Sequence, residues 1–137
     1  MEYSSPCLSG SGISVRIGFT AYKLTISAPG TTTVGYLGIP QNSQSDDYFT
    51  EVGDQGKHIY ITASKNVTID GEIDYPIGTT IDFITAAGAT ATIAINIQTM
   101  YQYITGSTGT RTLAPFGRAS AIKVDTTKWY ISGIGLT

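Results

Sequence analysis

An all-β chain is predicted, a small antiparallel β-sandwich or barrel of jelly-roll type preceded by an N-terminal arm or short hairpin. Three observations predict it. Apolar and polar residues alternate with period two, most cleanly over residues 89–97, where Ala89, Ala91, Ile93, Ile95 and Ile97 share one side. Sixteen glycines and five prolines punctuate the 137 residues at short intervals. Thr and Ile are abundant, and their branched Cβ atoms suit a pleated, half-buried surface. Strand signals separated by turns every roughly 8–12 residues are the pattern of a sandwich or barrel.

The elements follow in chain order. Leu8-Ser9-Gly10-Ser11-Gly12 reads as a flexible opening, and residues 13–20 and 21–28 as two short strands. In the second, Tyr22, Leu24 and Ile26 alternate with Lys23 and Thr25 until Pro29-Gly30 ends the run. Residues 31–56 carry little regular pattern and read as a polar connector or long surface loop. Beyond Lys57 the runs 58–62, 67–70, 80–85 and 89–97 are strands, with Pro76-Ile77-Gly78 and Ala86-Ala87-Gly88 as turns. Residues 98–104 could form a turn of helix, but Tyr and Ile favour a strand. The sharpest expectation is a hairpin of residues 120–124 and 129–133 around Asp125-Thr126-Thr127-Lys128. A two-residue loop there would pair Val124 with Trp129 and Ile122 with Ile131, placing all four on one core face. Thr126-Thr127 is not the Asn-Gly type such loops prefer, which leaves a longer loop open. The domain division expected from these patterns is 1–33 for the arm and 34–137 for the β domain.

Composition narrows the function classes. Charged residues make up 13% of the chain, against roughly 25% in an average domain, yet 41% is hydrophobic, which is too apolar for a disordered chain. The exposed surface is therefore Thr, Ser, Asn, Gln and Tyr, or it is covered by other subunits. Interfaces are depleted in charge and enriched in aromatics, and nine tyrosines fit that pattern. A net charge of −2 supplies no basic stripe for nucleic acid. No run reaches the roughly 18 apolar residues of a membrane span, since residues 86–97 are interrupted by Gly88, Thr90, Thr92 and Asn96. The first residues lack the basic start and apolar core of a secretion signal, and the lone Cys7 cannot close an intramolecular disulfide. Folding in a cytosol is the expectation.

Several constellations bear on chemistry. Asp70, Glu72 and Asp74 would project to one side of a strand, but calcium wants roughly six to eight oxygens and the order of an EF-hand loop is absent. His58 is the single histidine, and Cys7–His58 is the one possible Cys–His pair, with Cys7 in the mobile-looking opening. Gly10-Ser11-Gly12 and Gly106-Ser107-Thr108-Gly109 lack the Gly-Lys-Ser/Thr ending and the helix of a phosphate loop. Asn66-Val67-Thr68 matches a glycosylation acceptor, which has little meaning without a secretion signal. Paired carboxylates for glycoside hydrolysis are a matter of spatial separation and cannot be read from sequence. No enzyme, cofactor or metal site is expected.

A resemblance covers residues 34–137. Gly35-Tyr36-Leu37-Gly38-Ile39-Pro40-Gln41-Asn42-Ser43, Gly56-Lys57-His58-Ile59-Tyr60 and Tyr75-Pro76-Ile77-Gly78-Thr79-Thr80-Ile81-Asp82-Phe83 carry it, followed by Ala87-Gly88-Ala89-Thr90-Ala91-Thr92-Ile93. Gly117-Arg118-Ala119-Ser120-Ala121-Ile122-Lys123-Val124 and, after a turn, Trp129-Tyr130-Ile131-Ser132-Gly133 complete it, and this small-residue strand, turn and Trp-x-Ile-Ser-Gly pattern is the most specific part. These resemble a β module of phage virion proteins, including head decoration (cement) proteins and fibre or spike tips. The resemblance implies a homotrimer on the outside of a virion made in the host cytoplasm, with the N-terminal part as anchor. The expected partners are copies of the chain and the major capsid protein or another virion protein, with neither nucleic acid nor membrane. The length, with no fibrous shaft, favours a complete decoration protein that clamps capsid subunits; the alternative is a fibre or spike tip that recognises a host receptor.

Overall fold

A computed structural model describes residues 24–26, 32–34 and 38–137. The chain divides into two compact units, Met1–Gly38 and Ile39–Thr137. In the first, β1 (Leu24–Ile26) pairs antiparallel with β2 (Thr32–Val34), Leu24 opposite Val34. The strand expected over residues 13–20 lies outside the described residues, as does Cys7.

The second unit contains nine strands: β3 (Gln41–Gln44), β4 (Tyr48–Phe49), β5 (His58–Ile61), β6 (Lys65–Ile69), β7 (Thr80–Thr85), β8 (Ala91–Ile95), β9 (Thr99–Gln102), β10 (Arg111–Asp125) and β11 (Lys128–Leu136). The expected all-β architecture is the observed one. β3, β5 and β7 are parallel neighbours, and so are β4, β6 and β8. The chain thus winds through three rungs, β3–β4, β5–β6 and β7–β8, with one strand of each rung in either arm of the sheet. β10 closes the stack, pairing antiparallel with β8 through Arg111–Leu113 and with β7 through Arg118–Ile122. β11 pairs antiparallel with β10, and β9 runs parallel to β11.

Within that architecture the expectation of antiparallel pairing is corrected, because five of the eight strand pairs in this sheet are parallel. Parallel neighbours need a crossover between them. In this fold the opposite arm's strand is that crossover, so no helix is required. The polar stretch expected as a loop is likewise corrected: Gln41–Gln44 is a strand, held at one end of the stack by its register with β5.

Register explains the core. In one arm Ile59 stacks on Phe83 and Ile61 on Thr85; in the other Val67 stacks on Ile93. Ile59, Ile61, Phe83, Val67 and Ile93 join Ile81, Trp129, Ile131, Leu113 and Met100 in one fully buried cluster between the arms. Each such aliphatic or aromatic side chain contributes about 1.5–3 kcal/mol by leaving water. Large residues oppose small ones across the strands, with Phe83 opposite Ala119 and Ile81 opposite Ala121. Gly133 is opposite Ala119 for the same reason, since a Cβ there would lie 2.3 Å from the Arg118 carbonyl oxygen.

β10 serves both arms because it bends. Its pairing with β11 is irregular between Leu113 and Arg118, where Ala114-Pro115-Phe116-Gly117 intervene. Pro115 has no N–H to offer a ladder, and Phe116 takes φ of 58°, so the strand turns there. Thr85, buried in the third rung, satisfies the bend: its hydroxyl accepts from Gly117 N at 2.9 Å and donates to the Ala114 carbonyl at 2.5 Å.

The C-terminal hairpin forms where expected, with Asp125 opposite Lys128 across Thr126-Thr127. Its register is offset by one residue at Val124, so Trp129 pairs with Lys123 and Ile131 with Ala121. Trp129 and Ile131 are buried as expected, but Val124 is 37% exposed and Ile122 is half-buried. The bulge is the reason, because a one-residue slip sends the inner set of a strand outward. Lys123 takes the inner position instead and donates from Nζ to the Tyr75 carbonyl at 2.8 Å.

Candidate functional site

Two regions of the second unit carry the chemistry that the core does not use. The first is the end of the stack at β3 and β4. At positions where later rungs bury Ile59, Ile61 and Val67, the first rung places Asn42, Gln44 and Tyr48. Asp54, at the end of a short 3-10 turn over Val52–Asp54, is buried beneath them. Its carboxylate accepts from Asn42 Nδ2 at 2.9 Å, the Tyr48 hydroxyl at 2.7 Å and Glu51 N at 2.8 Å. Gln44 Nε2 donates to Asn42 Oδ1 at 2.9 Å. Burial, then the hydrogen bond to Asp54 and that carboxylate's charge, push the Tyr48 phenol well above its ordinary range. An open, polar cavity of 290 Å³ lies over this network, rimmed by Gln41, Glu51 and Lys57.

The second region is the outward face of the arm built from β5, β7, β10 and β11. Tyr60 is in register with Ile84, Ile84 with Arg118, and Arg118 with Ile134; Ile122 is opposite Tyr130. Ile134 is 85% exposed and Tyr130 37% exposed. Tyr130 meets Tyr101 and Tyr103 edge-on, with ring centroids 5.8 and 5.3 Å apart. The charges within this ladder cancel, because Arg118 Nη2 bonds Asp82 Oδ2 at 2.7 Å. The other arm differs. Its outward positions Asn66, Thr68, Thr92 and Thr112 are small and polar, and the one large apolar side chain in register with them is Phe49, on the terminal strand β4.

The residues singled out from sequence are dispersed. His58 Nε2 is 3.0 Å from Gln41 Oε1 on the outer face of β5. Asp70, Glu72 and Asp74 lie in the link between β6 and β7 and not along a strand. Asp70 Oδ1 accepts from Glu72 N at 3.1 Å and from Asn96 Nδ2 at 3.2 Å, which fastens that link to the segment after β8. Asn66 is exposed on β6. Residues 106–109 are exposed and follow a turn at residues 103–105; Thr108 bridges back to Tyr101, and Ser107 Oγ donates to Gln102 Oε1 and accepts from Arg111 Nη2. Among the described residues no three His, Cys, Asp or Glu side chains converge as a metal site would require, and no helix is long and apolar enough to cross a membrane.

Sequence reasoning passed over both regions. The polar end was legible only as a stretch without pattern, since Asn42, Gln44 and Tyr48 acquire meaning from the strands stacked on them. Outward Ile122 and Tyr130 were visible as strand residues, but the bulge at Val124 hid which side Ile122 would take. No family model, curated protein or solved structure matches the chain.

Proposed function

We propose that the chain is a structural protein of a phage particle, a capsid decoration (cement) protein that binds the assembled shell as a homotrimer. The observation that carries this reading is the outward face of β5, β7, β10 and β11, which combines tyrosine and isoleucine with internally cancelled charge. Such a surface suits burial against other subunits, where charge is scarce and aromatics are common. The likeness of residues 34–137, above all Trp129-Tyr130-Ile131-Ser132-Gly133, to phage virion modules supplies the setting. A protein that binds only the assembled shell stabilises that shell by mass action.

The test is binding of the purified chain to expanded empty capsids. Saturable occupancy at threefold or quasi-threefold positions, with a raised shell melting temperature, is expected. Adhesion to host cells without any binding to capsids would overturn it. In this reading residues 1–33 attach, so their deletion is expected to leave a folded oligomer that no longer decorates.

One observation favours a second reading, a fibre or spike tip recognising a host receptor. The cavity at the first rung presents amide, carboxylate and ammonium groups from Gln41, Gln44, Glu51 and Lys57 around one opening. Convergent polar groups of this kind can orient a polar ligand. Cell binding that is lost in Gln44→Ala, with capsid binding absent, would establish that reading in place of the first.

A further inference from the structure

A stacked, winding fold offers copies of itself two routes to assembly. One is end to end, through the strands that terminate the stack, and it extends into filaments. The other is side to side, through a sheet face, and it can close into a ring. The two surfaces are built oppositely in this chain.

At the end of the stack, β3 and β4 are the terminal strands of the bent sheet. β3 has four residues and β4 has two. Their inward positions hold Asn42, Gln44 and Tyr48, bonded to one another and to Asp54. Stacking another rung there would bury amides already committed to a network of their own, and the exposed apolar residue of these two strands, Phe49, occupies an outward position. Short polar edges are how β proteins discourage pairing, and a polar terminal repeat is how stacked repeats end.

The side face has the contrary chemistry. Tyr60, Ile84, Ile122, Tyr130 and Ile134 lie on adjoining strands, and the ionised pair among them, Arg118 and Asp82, is already joined. A partner of either net charge would find no unpaired counter-charge within this ladder. A second copy of the same face brings its own cancelled pair, meets no like-charge repulsion and covers exposed Ile134.

We infer that copies of the chain associate side to side through the outward face of β7, β10 and β11, centred on Ile134 and Tyr130, and that the polar first rung blocks end-to-end growth. This rests on the self-assembly in the function proposed above and names the surface that performs it.

Sedimentation of the full chain at micromolar concentration tests it with three variants. Ile134→Glu puts a charge on a side chain that is 85% exposed, so the fold should survive, as far-UV circular dichroism would verify. Arg118→Asp leaves Asp82 with a second acid in place of its partner. Thr92→Glu places the same kind of charge on the outward side of the other arm. The wild-type chain is expected to form a discrete oligomer. Ile134→Glu and Arg118→Asp are expected to raise its dissociation constant by at least roughly thirtyfold, the mark of a central interface residue, whereas Thr92→Glu should leave it unchanged. An oligomer that survives Ile134→Glu and Arg118→Asp but is lost in Thr92→Glu would overturn this face while leaving self-assembly intact. A wild-type chain that is monomeric throughout would overturn both.

Discussion

The first rung and the two that follow occupy equivalent places in one winding chain, yet they are built from opposite materials. Asn42 lies in register with Ile59 and Phe83, Gln44 with Ile61 and Thr85, and Tyr48 with Val67 and Ile93. The backbone repeats while the chemistry changes. A rung with neighbours on both sides can be apolar inside, because burial stabilises it from above and below. A rung at the end must satisfy its own polar groups and offer little to a further strand. What separates the two is position in the stack and not any difference in strand geometry.

Substitutions can break that contrast. The largest effect is expected in the third rung. Phe83 is fully buried opposite Ala119, so Phe83→Ala leaves a cavity no neighbour can fill. It should cost about 3–5 kcal/mol in chemical denaturation. Ile61→Gln would place first-rung chemistry in the second rung, beneath Gln44. An amide enclosed there meets only Gln44 and Thr85 and gives up the apolar burial of Ile61, and a loss of about 2–4 kcal/mol is expected by the same measurement. A cost below about 1 kcal/mol would mean that the second rung tolerates polar groups and that the contrast is only compositional.

The first rung should respond through its hydrogen bonds. Asp54→Ala strands the donors of Asn42, Tyr48 and Glu51 and should cost about 2–3 kcal/mol. The same network predicts a pH dependence. The unfolded chain ionises Tyr48 near its ordinary value of about 10, whereas the fold keeps the phenol neutral against the Asp54 carboxylate. The stability this supplies is fully present below about pH 10 and is lost progressively as pH climbs from there toward the raised folded value. Tyr75 is pushed upward too, chiefly by burial, and acts in the same direction. Urea denaturation between neutral pH and pH 11 should therefore show declining stability, and Tyr48→Phe should make the decline shallower. An identical pH profile in the variant would remove Tyr48 as a cause.

The smallest stability change is expected from Gln44→Leu, within about 1 kcal/mol, because Gln44 is only half-buried. Its consequence should be associative: an apolar end to the stack and concentration-dependent sedimentation beyond that of the wild-type chain.

The uneven legibility of the fold has the same origin. Residues 80–85 declare themselves as a strand because they have a buried side, and β7 spans the same residues. Residues 41–44 conceal theirs because an end rung has no apolar side to display. The candidate regions were harder still. The polar end depends on Asp54 arriving beneath β3 and β4 from a short turn, and the outer face depends on a bulge at Val124 that shifts Ile122 outward. Neither leaves a local signal, and the inner lysine Lys123 ran against the pattern altogether.

Sequence alone determined the β class, the strands of the second and third rungs (apart from Ile97, which lies beyond β8, 74% exposed at φ of 65°) and the tip of the C-terminal hairpin, because alternation and turn residues act over a few neighbours. Tertiary structure decided that the rungs stack in parallel, that β10 bends to serve both arms and that its inner side is Ala119, Ala121 and Lys123. Strand alternation records that a strand has two sides. It does not record which strand lies beside it, nor where a single inserted residue exchanges those sides.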